Sequence, residues 1–350
     1  MIDSDAKLAA WLPTLQAATW LALDTEADSL HAYPEKLCLM QISTAGDDRL
    51  IDPLAGMNLD PLFAALDRHE LIMHGADYDL RLLHKHQAFA PRAIFDTMLA
   101  ARLLGERHFG LGSLVEKFLG VKLDKGPQKA DWARRPLTER METYARNDTH
   151  HLKPLADKLK QALEHKNRLG WHQESCARLI ADCSQPQVTD ADSVWRVKGS
   201  YALGRPALAV LREIWQWRET EAIAANRPPF FILSYEKMVE LAGAAGHQPV
   251  APLLPPRMSP RRRDTLLAAI RAGVTLPHDR HPEKIRHHSV RPTEAEMRRF
   301  HDLERRRNAH AHKLGIDPTV IASKGTLGEL AQNWDRHAPE LMNWQRELLQ

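Results

Sequence analysis

Asp24 and Glu26 follow the apolar run Leu21-Ala22-Leu23 with a single residue between them. Side chains alternate faces along a strand, so these two carboxylates leave its end on the same side. At ~4 Å and an effective dielectric of ~20, two such charges repel by about 4 kcal/mol, a large share of a domain's stability. A hard divalent cation held by oxygens relieves that repulsion and recruits further oxygen ligands. Two solvated acids at a strand end are the plainer reading of the same pattern. A second stretch, His74-Gly75-Ala76-Asp77-Tyr78-Asp79, opens a helix whose first turn carries Asp79, although helix N-termini favour carboxylates for dipole reasons alone. In a third, Tyr144-Ala145-Arg146-Asn147-Asp148, the i, i+4 spacing sets a phenol and a carboxylate on one helix face. His150 and His151 follow closely, but neighbours on a helix diverge by about 100° and cannot both join Asp148.

These residues need a scaffold to bring them together. Strands are expected at Trp20–Leu23, Leu37–Ile42, Arg49–Asp52 and Leu71–Met73, with Ala45-Gly46-Asp47-Asp48 as a turn. Helices are expected at Asp5–Leu15, Leu59–Leu66, Tyr78–His86 (Asp77 as N-cap), from Asp96-Thr97 to Leu104, Leu111–Leu119 before Gly120, and in a long run from Thr138 that Pro154 kinks or restarts. The class to this point is mixed α/β. Beyond it, residues 186–206 read as linker. Apolar positions Ala207, Val210, Leu211, Ile214 and Trp217 recur at helical spacing to Asn226, and Ser259-Pro260 opens another helix that ends before Gly273. Pro292-Thr293-x-x-Glu296 is a capping box for a helix that stops at Gly315. The expected division is an α/β domain over 1–185 and two all-α bundles over 207–277 and 290–350.

At 350 residues and 43% hydrophobic content the chain is long enough for two or three cored domains. A mean hydropathy of −0.44, with no long apolar run, argues against a membrane span. No secretory signal is visible, and three cysteines without paired spacing suit a reducing cytoplasm. The net charge is only +3, yet Arg257 to Lys313 carries 15 Lys and Arg against 7 Asp and Glu. That excess suits either a polyanion or a solvated helical surface.

Taken in order, Asp24-x-Glu26, His74-x-Ala76-x-x-Asp79 and Tyr144-x-x-x-Asp148 resemble the three motifs of DEDD-superfamily 3′-5′ exonucleases of the tyrosine subclass. Tyr33-Pro34-x-x-Leu37-Cys38-Leu39-Met40-Gln41-Ile42, Phe95-Asp96-Thr97 and Lys125-Gly126-Pro127-Gln128-Lys129-Ala130-Asp131-Trp132 narrow the resemblance to the ribonuclease D family. Gly126 and Ala130 stand where that family usually has serines, so hydroxyl contacts from this loop are not expected. The run from Ala207 through Pro228-Pro229 and Ser234 resembles the helicase-and-ribonuclease-D C-terminal (HRDC) domain, and residues 290–350 resemble a degenerate second copy.

The resemblance implies a ribonuclease H-like α/β exonuclease domain, a mixed sheet flanked by helices, followed by two HRDC-like bundles. It implies two divalent ions, Mg²⁺ or Mn²⁺, with Asp24 bridging both, Glu26 and Asp148 completing one site and Asp79 holding the other. Tyr144 would orient the attacking water, since a phenol of pKa near 10 is a poor base. The implied partner is RNA with a free 3′ end, precursor transfer RNA in particular, and no obligate protein partner is evident. Lys125, Gln128, Lys129, Arg261 and Arg262 are the expected RNA contacts. Hydrolysis of a phosphodiester requires an activated water and relief of charge on the leaving 3′-oxygen, which a pair of ions ~3.5–4 Å apart supplies. A deoxyribonuclease of the same superfamily and a silent RNA-binding scaffold are the competing readings.

Overall fold

The computed structural model describes residues 1–124, 126–185, 190–285 and 292–350. Five strands, β1 (Leu21–Ala27), β2 (Leu37–Thr44), β3 (Asp47–Ile51), β4 (Glu70–Met73) and β5 (Ala93–Asp96), form a sheet ordered β3-β2-β1-β4-β5. β1 to β3 pair antiparallel, while β4 and β5 run parallel to β1. The strand that carries Asp24 and Glu26 is therefore central, paired on both sides, and its apolar residues Leu21, Ala22 and Leu23 are fully buried. β1 and β2 both outrun their expected ends, because antiparallel pairing continues from Ala22↔Ser43 out to Ala27↔Leu37. The turn into β3 is tighter than expected. Gly46 takes φ 78°, Thr44 pairs with Asp47, and so Asp47 and Asp48 belong to the strand. β5 was not anticipated: it is a four-residue, doubly buried parallel strand without alternation, and its Asp96 doubles as a helix cap.

Helices α1 (Asp5–Ala17), α2 (Asp60–Leu66), α3 (Asp77–Gln87), α4 (Thr97–Leu104), α5 (Leu111–Leu119), α6 (Glu139–His150), α7 (Leu152–His165) and α8 (Leu169–Cys183) accompany the sheet. Asp77 is not the N-cap of α3. Ala76 holds that position, Asp77 pairs with Arg81 one turn on, and Asp96 of β5 accepts the amides of Gly75 and Ala76. The long helical run divides at His151, which leaves Pro154 in the first turn of α7. No helix was anticipated at α8, whose start has no side-chain cap; its buried face holds His172, Cys176 and Cys183.

The remaining helices are α9 (Arg205–Ala225), α10 (Pro229–Ile232), α11 (Tyr235–Ala244), α12 (Pro260–Val274), α13 (Glu294–Leu314), α14 (Pro318–Ile321), α15 (Lys324–Gln332), α16 (Trp334–His337) and α17 (Asn343–Leu349). Ser259 caps α12, and the Thr293/Glu296 capping box opens α13, which Gly315 ends in the left-handed conformation. α12 runs past Gly273. That glycine is instead a packing point: a Cβ there would come within 2.5 Å of the Val210 Cα on α9.

Two compact units result. One comprises Met1–Ala27, Leu37–Gln185 and Val290–Gln350; the other comprises Asp28–Lys36 and Pro186–Ser289. In the first, side chains of α13 to α17 share a core with α4, α5 and α7, and Trp344 stacks on Trp171 at 4.9 Å. In the second, α9, α11 and α12 enclose Leu211, Ile214, Met238, Leu241 and Leu266. Trp195, from the stretch expected as linker, is fully buried in that core.

Candidate functional site

Asp24 and Glu26 leave the end of β1, and α6 crosses that end with Asp148. Oxygen atoms of these three carboxylates lie within 4.8 Å of one another. Asp79, in the first turn of α3, is buried beside them and accepts a hydrogen bond from Thr25, the residue between Asp24 and Glu26. The four sequence-expected acids thus come to one place from three elements more than fifty residues apart.

Their electrostatics follow from that crowding. Burial pushes Asp24 well above the usual carboxylate range, and the charges of Asp79, Asp148 and Glu26 push it further. Glu26 is raised to about 9 by burial and then by Asp148 and Asp79. Asp148 is raised to about 7 by burial, with the nearby Tyr144 hydroxyl opposing. Asp79 reaches about 6, again through burial, with Thr25 opposing. Four mutually repelling carboxylates offering only oxygen fit hard divalent ions. Neither neighbouring histidine joins them: His150 Nδ1 lies 2.6 Å from Asp48 Oδ2, and His151 sits at the break between α6 and α7.

Tyr144 is one turn before Asp148 on α6, and its hydroxyl stands near the side chains of Asp148 and Gln128, which act on its proton in opposite senses. Burial and the adjacent Asp148 charge raise its pKa, so the phenol holds its proton more firmly than a free one. The ring is held as well. Trp132, fully buried, lies 6.1 Å away between centroids, and a Cβ at Gly126 would overlap the Tyr144 ring. A turn closed by the Ala130 amide on the Pro127 carbonyl (2.8 Å) presents Gln128. Tyr144 and Asp148 line a cleft of about 820 Å³ together with Gly126, Gln128, Lys129 and Gly112. The sequence suggests Gln128 as an RNA contact and gives no sign of its place beside the phenol. That tyrosine lies 16 positions along the chain, and no spacing rule links a turn residue to a helix face.

Of the other expected RNA contacts, Lys129 lines the cleft, and Lys125 lies outside the described residues. Arg261 and Arg262 belong to the second unit, where both pair with Glu221 at 2.5 and 3.0 Å. In the basic run of α13, Arg306 reaches the carbonyl of Leu349, and buried Arg307 donates to that of Ala322. Trp217 is buried with its Nε1–H on Thr265. Among the described residues one other group has metal-ligand spacing, Glu329, His337 and Glu340, of which both carboxylates are exposed.

The mixed sheet, the acids at the end of its central strand and the tyrosine one helical turn before the last of them all lie within residues 1–164, which a family profile described as 3′-5′ exonuclease matches. A second profile, the HRDC domain, matches residues 207–245. The chain is 36% identical over 252 residues to ribonuclease D of Zymomonas mobilis, covering 69% of this chain and 63% of that protein. It is 30% identical to ribonuclease D of Pseudomonas paraeruginosa over 99% of this chain and 94% of the relative. The chain belongs to the ribonuclease D family. Its matches to the first of these relatives span a little under two thirds of their length, 63% for the Zymomonas and Shewanella proteins. Among solved structures, that of Escherichia coli RNase D, described as an exoribonuclease involved in structured RNA processing, superposes with a TM-score of 0.77 at 25% identity, covering 100% of this chain and 98% of that one.

Proposed function

We propose that this chain is a divalent-ion-dependent 3′-5′ exoribonuclease that trims the 3′ ends of structured RNA, precursor transfer RNA above all, and releases nucleoside 5′-monophosphates. The convergence of Asp24, Glu26 and Asp148 within 4.8 Å supports this reading most directly. Asp24, Glu26 and Asp148, with Asp79 beside them, would hold two ions, Mg²⁺ or Mn²⁺. When bound, such ions neutralise the phosphate and make water a better nucleophile.

The rest is assigned to the chain's own groups. Tyr144 keeps its proton at neutral pH, because burial and Asp148 disfavour the phenolate. Its hydroxyl therefore orients a water rather than deprotonating it. Gly126 and Trp132 confine the ring and Gln128 stands beside the hydroxyl, so the orienting group is in place before the RNA arrives. The cleft beside Tyr144 is open enough to take the terminal nucleotide, and Lys129 on its wall suits a phosphate. Structured RNA as substrate is supported by the description of the E. coli relative. No helix among the described residues is long and apolar enough to cross a membrane, and we place the activity in the cytoplasm.

The test is a transfer RNA with a 3′ extension, labelled at its 5′ end. Stepwise shortening that needs Mn²⁺ or Mg²⁺, stops with chelator and vanishes in Asp24→Asn is expected. Cleavage that survives Asp24→Asn overturns the assignment, and faster digestion of a matched DNA makes the enzyme a deoxyribonuclease.

A further inference from the structure

Gln41 lies on β2, in the Leu39-Met40-Gln41-Ile42 stretch that no part of the proposed chemistry uses. It is 0% exposed, and neither its Oε1 nor its Nε2 has a hydrogen-bond partner among the described residues. Buried amides in folded proteins almost always have partners, and an exception asks for a reason. Its position supplies one. Gln41 is the direct partner of Asp24 across β1 and β2, and residues opposite each other in an antiparallel pair project from the same face. Two residues along that face, Ser43 donates to Thr149 Oγ1 at 2.7 Å, which puts α6, one residue past Asp148, over the same side of the sheet. The unpartnered amide thus stands under α6 beside a carboxylate of the site.

We propose that Gln41 is a positioning residue of the carboxylate site, its Nε2–H donating to the Asp24 carboxylate when that group is charged and holds ions. The inference rests on the reading of Asp24 as an ion ligand. A hydrogen bond to a charged acceptor is about twice as strong as one between neutral groups. The terminal torsion of a glutamine is broad, so the amide swings to its acceptor at little cost. The donor fixes which Asp24 oxygen faces the ions. In the ion-free protein the amide has no such reward, and the fold carries an unsatisfied group at a functional place.

The two roles separate experimentally, because a functional orphan is a structural liability. Gln41→Met keeps the length and removes both polar atoms. Its melting temperature without divalent ions is expected to equal or exceed that of the wild type. Its Mn²⁺ midpoint, read from the ion-induced rise in melting temperature, is expected to weaken by about 10-fold or more, the usual cost of losing a group that orients a ligand. On RNA, kcat should fall by about the same factor while KM stays within about twofold. Gln41→Leu, which also removes both polar atoms, should resemble Gln41→Met, with circular dichroism confirming that both are folded. Wild-type kcat and Mn²⁺ midpoint in Gln41→Met overturn the proposal. So does a lower ion-free melting temperature in that variant, which would mean the fold itself satisfies the amide. If the wild type itself shows no ion-dependent cleavage and no Mn²⁺ stabilisation, the proposed function fails and this inference with it; if the wild type shows both and Gln41→Met matches it, only the role of Gln41 fails.

Discussion

At the scale of residues, the site is a set of like charges that the fold holds together at a cost. Glu26 carries that cost most visibly, with a folded pKa of about 9 against an ordinary 4.5. A carboxyl raised on folding binds its proton more tightly in the native state, so stability is lost as pH rises from the unfolded pKa through the folded one. In the ion-free protein the melting temperature should therefore decline between about pH 5 and 9, and divalent ions should raise it more at pH 8.5 than at pH 6. Glu26→Gln should flatten that decline and melt above the wild type at high pH. A calorimetric pH series with and without Mn²⁺ checks both, and an ion effect independent of pH would count against the shared carboxylate site. A second prediction concerns the phenol. Tyr144→Phe should lower kcat by about 10²-fold, at the low end for a group that handles protons, because orientation is lost while the acids remain. Gln128→Ala should lower kcat with little change in RNA affinity measured in Ca²⁺, whereas Lys129→Ala should weaken affinity. An affinity loss in Gln128→Ala would restore it to the RNA contacts. Asp24, Glu26, Asp79, Tyr144 and Asp148 could be grouped in the sequence only through the order of three motifs, because each pattern alone also suits a solvated strand end, a helix N-terminus or a helix face. Gln128 and Gly126 could not be, because what they do is set by a tertiary contact with Tyr144.

At the scale of elements, what the sequence made legible follows the strength of local signals. Ser259, Gly120 and the Thr293/Glu296 box mark helix ends by chemistry that acts within one turn, and those ends fall where that chemistry puts them. β5 and α8 carry no such mark: the first is a short, mostly buried strand, and the second has Cys176, Leu179, Ile180 and Cys183 at helical spacing but no capping side chain to open it. Gly273 shows how a local rule is overridden. A glycine near a helix end reads as a stop, yet here it lets α12 approach the backbone of Val210 on α9. Gly273→Ala gains helix propensity of just under about 1 kcal/mol, but its Cβ would sit 2.5 Å from the Val210 Cα and forces the helices apart. Overpacking of this kind costs about 1–3 kcal/mol. The variant should accordingly lower the denaturation midpoint of the second unit, reported by quenching of buried Trp195 and Trp217. A more stable variant would show that propensity, and not packing, governs the position.

At the scale of the whole molecule, helices α13 to α17 are less an appendage than part of the interior of the unit that holds the sheet. Leu303, Ile321, Leu327 and Trp344 belong to the same buried cluster as Leu114, Leu155 and Leu159. Arg168, buried at the start of α8, donates to the carbonyls of Leu103 and Leu314, both at 2.6 Å, and so ties α4 and α13 through one guanidinium. Chain position alone could not give this, because composition and helical period show that a segment has an apolar face but not which surface covers it. The arrangement makes a testable demand on stability. Trp344 is buried and stacked on Trp171 of α8, and removing a buried tryptophan costs about 3–5 kcal/mol. If the C-terminal helices and the sheet share one core, Trp344→Ala lowers the unfolding midpoint of the sheet as well. Hydrogen exchange followed by mass spectrometry should then show peptides of β1 and β4 losing protection together with those of α13 and α17. Loss confined to the C-terminal helices, with β1 and β4 protected as in the wild type, would mean that the segment folds on its own and only rests against the nuclease sheet.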